Sequence, residues 1–324
     1  MTGMTLNSAV VQELARLCPG GVRRDVPLAQ VSRWRIGGLA DVVVEPRSVS
    51  QLCALRAFTA REGLASVVIG DTSNLLFSDD GLRVVCFHIG GRMSALQIEE
   101  TQVTAEAGLW VPYFARRLQQ AGLTGAEHVC GIPGTLGGLI CMNGGSQRKG
   151  IGSSVVNVTA VTASGEAATL YREECGFAYR TSVFQGNGAV IAAAQLQFAQ
   201  ASDPGAIRRE MLDILRDRSR KFPRKQPNCG SVFKSNPAMY AEIGPPGAAI
   251  ERLGFKGYRI GGAMVSVHHA NFFVNAGKAR ATDMLRLIQQ VGDAVFQTTG
   301  HRMESEVQFV TPAGKIHSAY VSGI

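Results

Sequence analysis

"GIPGTLGGLICMNGGS", residues 131–146, decides how the first half of this chain is read. Its first four glycines fall at 131, 134, 137 and 138. That spacing is neither G-x-x-x-x-G-K-[ST] nor G-x-G-x-x-G, so it supports neither a P-loop nor a Rossmann turn. A second loop stands upstream, "IGDTSNLLFSDDG" (69–81), at the exit of the apolar run "SVVIG". There Asp71, Thr72, Ser73 and Asn74 follow Gly70, and such a turn presents backbone N–H groups and hydroxyls to an anion. On these residues alone two readings stay open. The loops are tight turns that serve topology only, or they are backbone that a flat, charged ligand must approach closely, which needs glycine for room. The second reading points to a cofactor that contains a pyrophosphate.

Working outward, Val10, Val11, Leu14 and Leu17 have helical spacing and predict a helix over residues 7–18. "DVVVEP" (41–46), "RVVCFHI" (83–89), "QVTAEAG" (102–108) and "AVIAAAQLQF" (189–198) read as strands. Residues 49–61 and 111–121 read as helices, the second stopped by Gly122. "VVNVTAVTASGEAATLY" (155–171) is a hairpin with Ser164-Gly165 in its turn. Asp203 opens a further helix with Pro204 at its first position. Irregular polar loops are expected from there to about residue 270, then a strand "NFFVN" (271–275), a helix from Arg280 to Gln297, and strand-like "ESEVQFV" (304–310) and "KIHSAYV" (315–321). This mixed order of strands and helices predicts α+β or α/β layers, with a domain change near residue 203.

The 324 residues suffice for two domains, and 45% of them are hydrophobic. A net charge of +8 favours anionic partners. The dense basic run "RDRSRKFPRK" (216–225) lacks the interleaved aromatics of a single-strand nucleic-acid platform. Seven scattered cysteines without a C-x-x-C pair argue against a disulfide framework or a structural zinc site. No run approaches 18 uninterrupted apolar residues, and the expectation is a soluble, cytoplasmic protein.

"PNCGSVFKSNP" (227–237) holds a thiol at Cys229 and a hydroxyl at Ser231, with no histidine close in sequence to act as a base. This stretch joins six others in one order along the chain: "RWRIGGLADVVVEP" (33–46), "SNLLFSDDG" (73–81), "GIPGTLGGLICMNGGS" (131–146), "YRTSVF" (179–184), "RIGGAMVSVHHANFFVN" (259–275) and "ESEVQFV" (304–310). In these motifs the chain resembles the UDP-N-acetylenolpyruvoylglucosamine reductases, in the branch without an extra tyrosine-bearing loop.

The resemblance implies an α+β fold: a two-lobed FAD-binding module of the vanillyl-alcohol oxidase type plus a C-terminal substrate-binding domain. The implied division is 1–27 as lead-in, 28–203 for FAD and 204–324 for substrate. It also implies non-covalent FAD, NADPH as reductant and UDP-N-acetylglucosamine enolpyruvate as acceptor, with no nucleic acid or membrane partner and a monomer or weak dimer. By motif position, FAD is expected against Gly70, Thr72, Ser73, Asn74 and Leu75, against Gly131, Ile132, Pro133, Gly134, Gly137 and Gly138, and near Asn143, Gly144 and Arg218. Catalysis is expected from Arg180 as the cation for the substrate carboxylate, Ser231 as the proton donor to carbon and Glu306 as a third polar group. Tyr179, Lys234, Asn236, His269 and Asn271 are expected to line the substrate, with Ser235 an alternative to Asn236 for the diphosphate. The family's turn before "SN" is often G-x-G-S-N, whereas Asp71 and Thr72 follow Gly70 here. A paralogue acting on another enolpyruvyl nucleotide sugar, and a carbohydrate oxidase on the same FAD fold, are the alternatives.

Overall fold

The computed structural model describes residues 6–321. The chain forms two compact units. The first takes the described residues up to Arg24, Val42–Asp71 and Val84–Arg218. The second takes Asp25–Asp41, Thr72–Arg83 and the described residues from Ser219 onward.

A five-stranded antiparallel sheet dominates the first unit, in the order Ala167–Tyr171, Val155–Val161, Val190–Gln197, Gln102–Glu106, Leu96–Glu99. Along its central strand Ala194 and Leu196 are buried while Gln195 and Gln197 face solvent, the period of two of a half-buried strand. The hairpin of residues 155–171 turns through Gly165 at φ +93°. A methyl group there would fall 2.6 Å from backbone atoms of Cys53 and Ala57, so only glycine lets this turn lie against helix Val49–Arg61. Ser66–Ile69 runs parallel to residues 85–88. One apolar core joins these pieces, from Val10 and Leu14 of the first helix to Phe114 and Leu118 of helix Val111–Gln120.

The second unit has its own core around Trp34, Phe233, Phe273, Leu287 and Val291. Its four-stranded antiparallel sheet has the order Asn228–Ser231, Phe272–Asn275, Ala263–Val265, Arg259–Ile260. Gln308–Val310 pairs antiparallel with Ile316–Ser318 and parallel with Leu75–Phe77. Helix Ala281–Thr299 buries Met284, Leu287, Ile288, Val291 and Val295 on one face. Asp79 caps its start, accepting from the N–H groups of Ala281 (2.7 Å) and Thr282 (3.2 Å). The Trp34 indole N–H donates to the Phe273 carbonyl at 2.8 Å, which satisfies the polar edge of a fully buried ring.

The architecture is α+β, as the order of elements predicts. The stretch before residue 270 differs from the irregular loops expected there. It contains strands Asn228–Ser231, Arg259–Ile260 and Ala263–Val265 and helices Pro237–Tyr240 and Pro246–Arg252. Elements this short carry too few residues for a periodicity to show.

Candidate active site

The loop of residues 131–138 is held along residues 107–111. Val111 N–H donates to the Gly134 carbonyl (2.9 Å), Leu136 N–H to Leu109 (2.8 Å) and Gly137 N–H to Ala107 (2.7 Å). Thr135 then opens the short helix Leu136–Cys141, its hydroxyl accepting from Gly138 N–H at 3.4 Å. Glycine serves packing at three positions. A methyl at 137 would stand 2.9 Å from Ala107 Cβ, one at 131 would stand 2.5 Å from Arg218 Cδ, and one at 70 would stand 2.4 Å from Thr135 Oγ1. Gly70 and Arg218, both expected near FAD, are thereby brought against this loop. Gly138 differs: it is exposed, and outside its own helix a methyl there would meet only Thr135 Oγ1, at 3.5 Å.

In the second unit Thr72 is buried at φ +56°, a strained conformation for a β-branched residue. Its hydroxyl donates to the Val31 carbonyl (3.1 Å) and accepts from Arg33 N–H (3.0 Å). Ser73 and Asn74 are half-buried, and Leu75 starts a strand.

Arg180 occupies a two-residue turn in the first unit. Ala178 and Thr181 exchange both backbone bonds across it, each at 3.1 Å. Arg180 itself carries the positive φ, +54°. Its guanidinium donates to the Gly145 carbonyl (3.1 Å), and its Cζ lies 5.2 Å from the centroid of the exposed Tyr179 ring. Side-chain amides brace the turn. Asn143 Nδ2 donates to the Ala178 carbonyl (2.9 Å) while its Oδ1 accepts from Gly152 N–H (2.9 Å). Gln185 Nε2 donates to the carbonyls of Arg180 (2.9 Å) and Cys141 (3.0 Å). Gly144 packs beside Leu139, 2.7 Å from where its methyl would be.

Ser231 ends the strand Asn228–Ser231 in the second unit. Asn228 stands opposite Val274 and Ser231 opposite Phe272, so one extra residue makes a bulge between them. Gly230 supplies its φ of +80°, and Asn228 Oδ1 accepts from Gly230 N–H at 3.0 Å. The bulge re-aims Ser231 while leaving its own backbone in an ordinary conformation. The next residue joins Ser231 to Glu306, because Glu306 N–H donates to the Val232 carbonyl at 2.8 Å. That bond and the one from Lys234 N–H to the Glu304 carbonyl, also 2.8 Å, together make an antiparallel bridge between Phe233 and Ser305. Cys229 is buried, its thiol directed at the carbonyls of Thr72 (3.4 Å) and Leu75 (3.6 Å).

The other substrate candidates lie in the same unit. Lys234 Nζ is 3.4 Å from Glu304 Oε2. Ser235 shares a 2.6 Å bond with the Tyr240 hydroxyl, whereas Asn236 caps helix Pro237–Tyr240 by accepting from Ala238 N–H at 3.0 Å. His269 Nδ1 accepts from Asn271 N–H at 3.2 Å, and its ring meets Phe222 and Phe272 edge-on while those two stack on each other at 4.5 Å. Burial, with Lys256 second, holds the His269 pKa below the ordinary imidazole value. Asn271 is buried, and its amide is bonded to the backbone of Phe233.

Two family models match the chain: an FAD binding domain over residues 40–171, and the UDP-N-acetylenolpyruvoylglucosamine reductase C-terminal domain over residues 222–310. UDP-N-acetylenolpyruvoylglucosamine reductase 1 of Corynebacterium glutamicum is 43% identical over 91% of this chain and 88% of its own length. The chain belongs to the UDP-N-acetylenolpyruvoylglucosamine reductase family. A Synechococcus reductase of the same name is 39% identical over 88% of this chain and 93% of its own. The crystal structure of the Thermus caldophilus UDP-N-acetylenolpyruvylglucosamine reductase superposes with a TM-score of 0.75 at 28% identity, covering 89% of this chain and 98% of that one.

FAD is the cofactor of this reductase family member. The first unit fits such a group. Gly138 leaves open space at an exposed backbone, the loop beside it is lined by the Arg218 cation, and Thr135 adds a hydroxyl. These are the donors and the room that a flat, anionic dinucleotide requires. Four supporting residues escape sequence reasoning: Thr135, Gln185, Asn228 and Ser305. Only Thr135 has a local signal, a hydroxyl residue directly before a helical run.

Proposed function

We propose that this chain reduces UDP-N-acetylglucosamine enolpyruvate to UDP-N-acetylmuramate, with Arg180, Ser231 and Glu306 as its catalytic residues. It is an FAD-dependent oxidoreductase of peptidoglycan precursor synthesis. FAD, held by the residues assigned to it below, would supply the hydride-transfer chemistry between NADPH and the enolpyruvyl alkene. The remaining chemistry belongs to side chains. Arg180 pairs with the substrate carboxylate and stabilises the negative charge that spreads onto it as the alkene is reduced. Ser231 donates its hydroxyl proton to the adjacent carbon and regains one from water. A serine is a poor acid in water, but a desolvated, aligned hydroxyl can protonate a carbanion-like centre without a histidine. Glu306 supports the developing charge as the third polar group.

The observation that supports grouping Ser231 with Glu306 is the 2.8 Å backbone bond from Glu306 N–H to the carbonyl of Val232, the residue after Ser231, while Arg180 is assigned from its place in "YRTSVF". We assign FAD chiefly to residues 28–203, at the 70–75 turn, the 131–138 loop and the Asn143-Gly144 segment, together with Arg218. We assign the nucleotide sugar chiefly to residues 204–324, with Lys234 and Asn236 at its diphosphate and His269 beside it, and we count Tyr179 among its lining residues by motif position. The protein works in the cytoplasm as a monomer or weak dimer. No helix among the described residues is long and apolar enough to cross a membrane.

The test is anaerobic. The flavoprotein is reduced with NADPH, the enolpyruvyl nucleotide sugar is added, and flavin reoxidation is followed. Ser231→Ala should be reduced by NADPH as the parent is, yet be reoxidised about 10²- to 10⁴-fold more slowly. Unchanged reoxidation in this variant removes Ser231 as the proton donor, and no reoxidation of the parent protein removes the substrate.

A further inference from the structure

We propose that Asn271 is a positioning residue for the Ser231–Glu306 pair, an inference that rests on Ser231 being the proton donor. Asn271 is 6% exposed. Phe233 N–H donates to its Oδ1 at 2.9 Å, and its Nδ2 donates to the Phe233 carbonyl at 2.9 Å. Its own carbonyl accepts from Val232 N–H at 2.8 Å. The amide side chain therefore does for Phe233 what a neighbouring strand does, one step beyond the point where regular pairing ends with Ser231 opposite Phe272. These three bonds fix residues 232 and 233 between Ser231 on one side and the Val232–Glu306 bond on the other. A shift in this backbone moves the Ser231 hydroxyl relative to Glu306, and displacements of about 1 Å cost rates on the order of 10²-fold.

Aspartate is the discriminating substitution because it has the same shape. When ionised it still accepts from Phe233 N–H, but it sets a carboxylate oxygen against the Phe233 carbonyl. When protonated, its O–H restores the lost donor. Burial and the facing carbonyl raise the pKa of the introduced carboxyl, so rescue comes on acidification. The charged and titratable groups around it are His269 on its own segment, on which Lys256, Glu251 and Lys221 act, Lys234 after Phe233, and Glu304 and Glu306 across from them; the helix Pro246–Arg252 presents Gly247 to the Asn271 Cβ.

The experiment uses the full-length flavoprotein and two readouts. In stopped flow, Asn271→Asp should be reduced by NADPH at the parent rate and reoxidised by substrate about 10- to 100-fold more slowly near pH 8, recovering as pH falls. Asn271→Ala should be slow throughout the pH range. In hydrogen–deuterium exchange near pH 8, the amides of Val232, Phe233 and Glu306 should exchange faster in Asn271→Asp while helix Ala281–Thr299 keeps its protection. Parent-like reoxidation in both variants, or equal loss of both half-reactions with exchange rising everywhere, overturns the proposal. Ser231→Ala measured alongside separates the two readings. Normal reoxidation there ends the proton-donor reading, whereas slow reoxidation there with normal Asn271 variants ends only the positioning role.

Discussion

Arg180 sits on a two-residue turn whose braces, Asn143 and Gln185, are reached by solvent, whereas Ser231 sits at a strand end whose braces, Asn271 and Ser305, are buried. Both places need an unusual backbone direction. At the turn the positive φ falls on Arg180 itself, at +54°; at the strand it falls on Gly230, at +80°, one residue before the functional side chain. The first arrangement holds strain on a residue that cannot be replaced by glycine without losing its guanidinium. The second places the same backbone need on a residue that meets it without strain. A long side chain can be aimed from a strained turn, because its own bond to the Gly145 carbonyl and its contact with the Tyr179 ring direct the last atoms. A serine hydroxyl is one bond from the backbone, so its aim is the aim of the strand.

The largest effect should come from changing Arg180. Arg180→Lys keeps a positive charge and a long stem but loses the planar fork, so substrate-driven reoxidation should fall about 10²- to 10³-fold with little change in stability. Parent-like reoxidation there would mean that the carboxylate cation is another residue. Gly230→Ala probes the other side of the contrast. A methyl at 230 meets nothing within 4 Å, so its cost is conformational alone. Unfolding free energy should drop by about 1–2 kcal/mol, read from a shifted denaturant midpoint at constant slope. A variant as stable as the parent would show that the bulge relaxes, and that Ser231 is aimed by something other than Gly230.

Much of this frame is legible in the sequence. The hairpin of residues 155–171, the helix that becomes Ala281–Thr299 and the α+β order follow from period and turn residues. The glycine run matches neither of the two common phosphate fingerprints. What the run cannot say is why each glycine is there: Gly131 and Gly137 make room for Arg218 and Ala107, and only contacts distant in sequence reveal that. The same holds for the amides. Asn143 and Asn271 read as polar residues inside motifs, yet their partners lie 35 and 38 positions away. No periodicity announces that Val232 meets Glu306. Hydrophobic pattern encodes which face is buried, whereas side-chain-to-backbone bonds depend on register between segments, which pattern leaves open.

The smallest effect concerns histidines, one behind each region. His269 has a partner, accepting from Asn271 N–H. His128 is buried with neither ring nitrogen hydrogen-bonded. Burial first, and Lys149 second, push its pKa below the ordinary 6.5, while Glu127 and the Gly125 backbone pull weakly the other way. His128 also stands behind Arg180: its carbonyl accepts from the Ser146 hydroxyl at 2.5 Å, and the neighbouring Gly145 carbonyl accepts from Arg180. The sign of the pH effect follows from the depressed pKa. Well above pH 6.5 the imidazole is neutral in both the folded and the unfolded chain, and it adds no pH dependence. As pH falls below 6.5 the unfolded chain takes the proton first, so stability is lost progressively down to the lower folded-state pKa. His128→Phe removes this titration, and its melting temperature should fall less than the parent's between neutral and mildly acidic pH. The Arg180 side would then lose its acid sensitivity while the His269 side keeps its own. Parallel melting curves for parent and variant would show that His128 is protonated as easily folded as unfolded, and that the frame behind Arg180 is wetter than its burial implies.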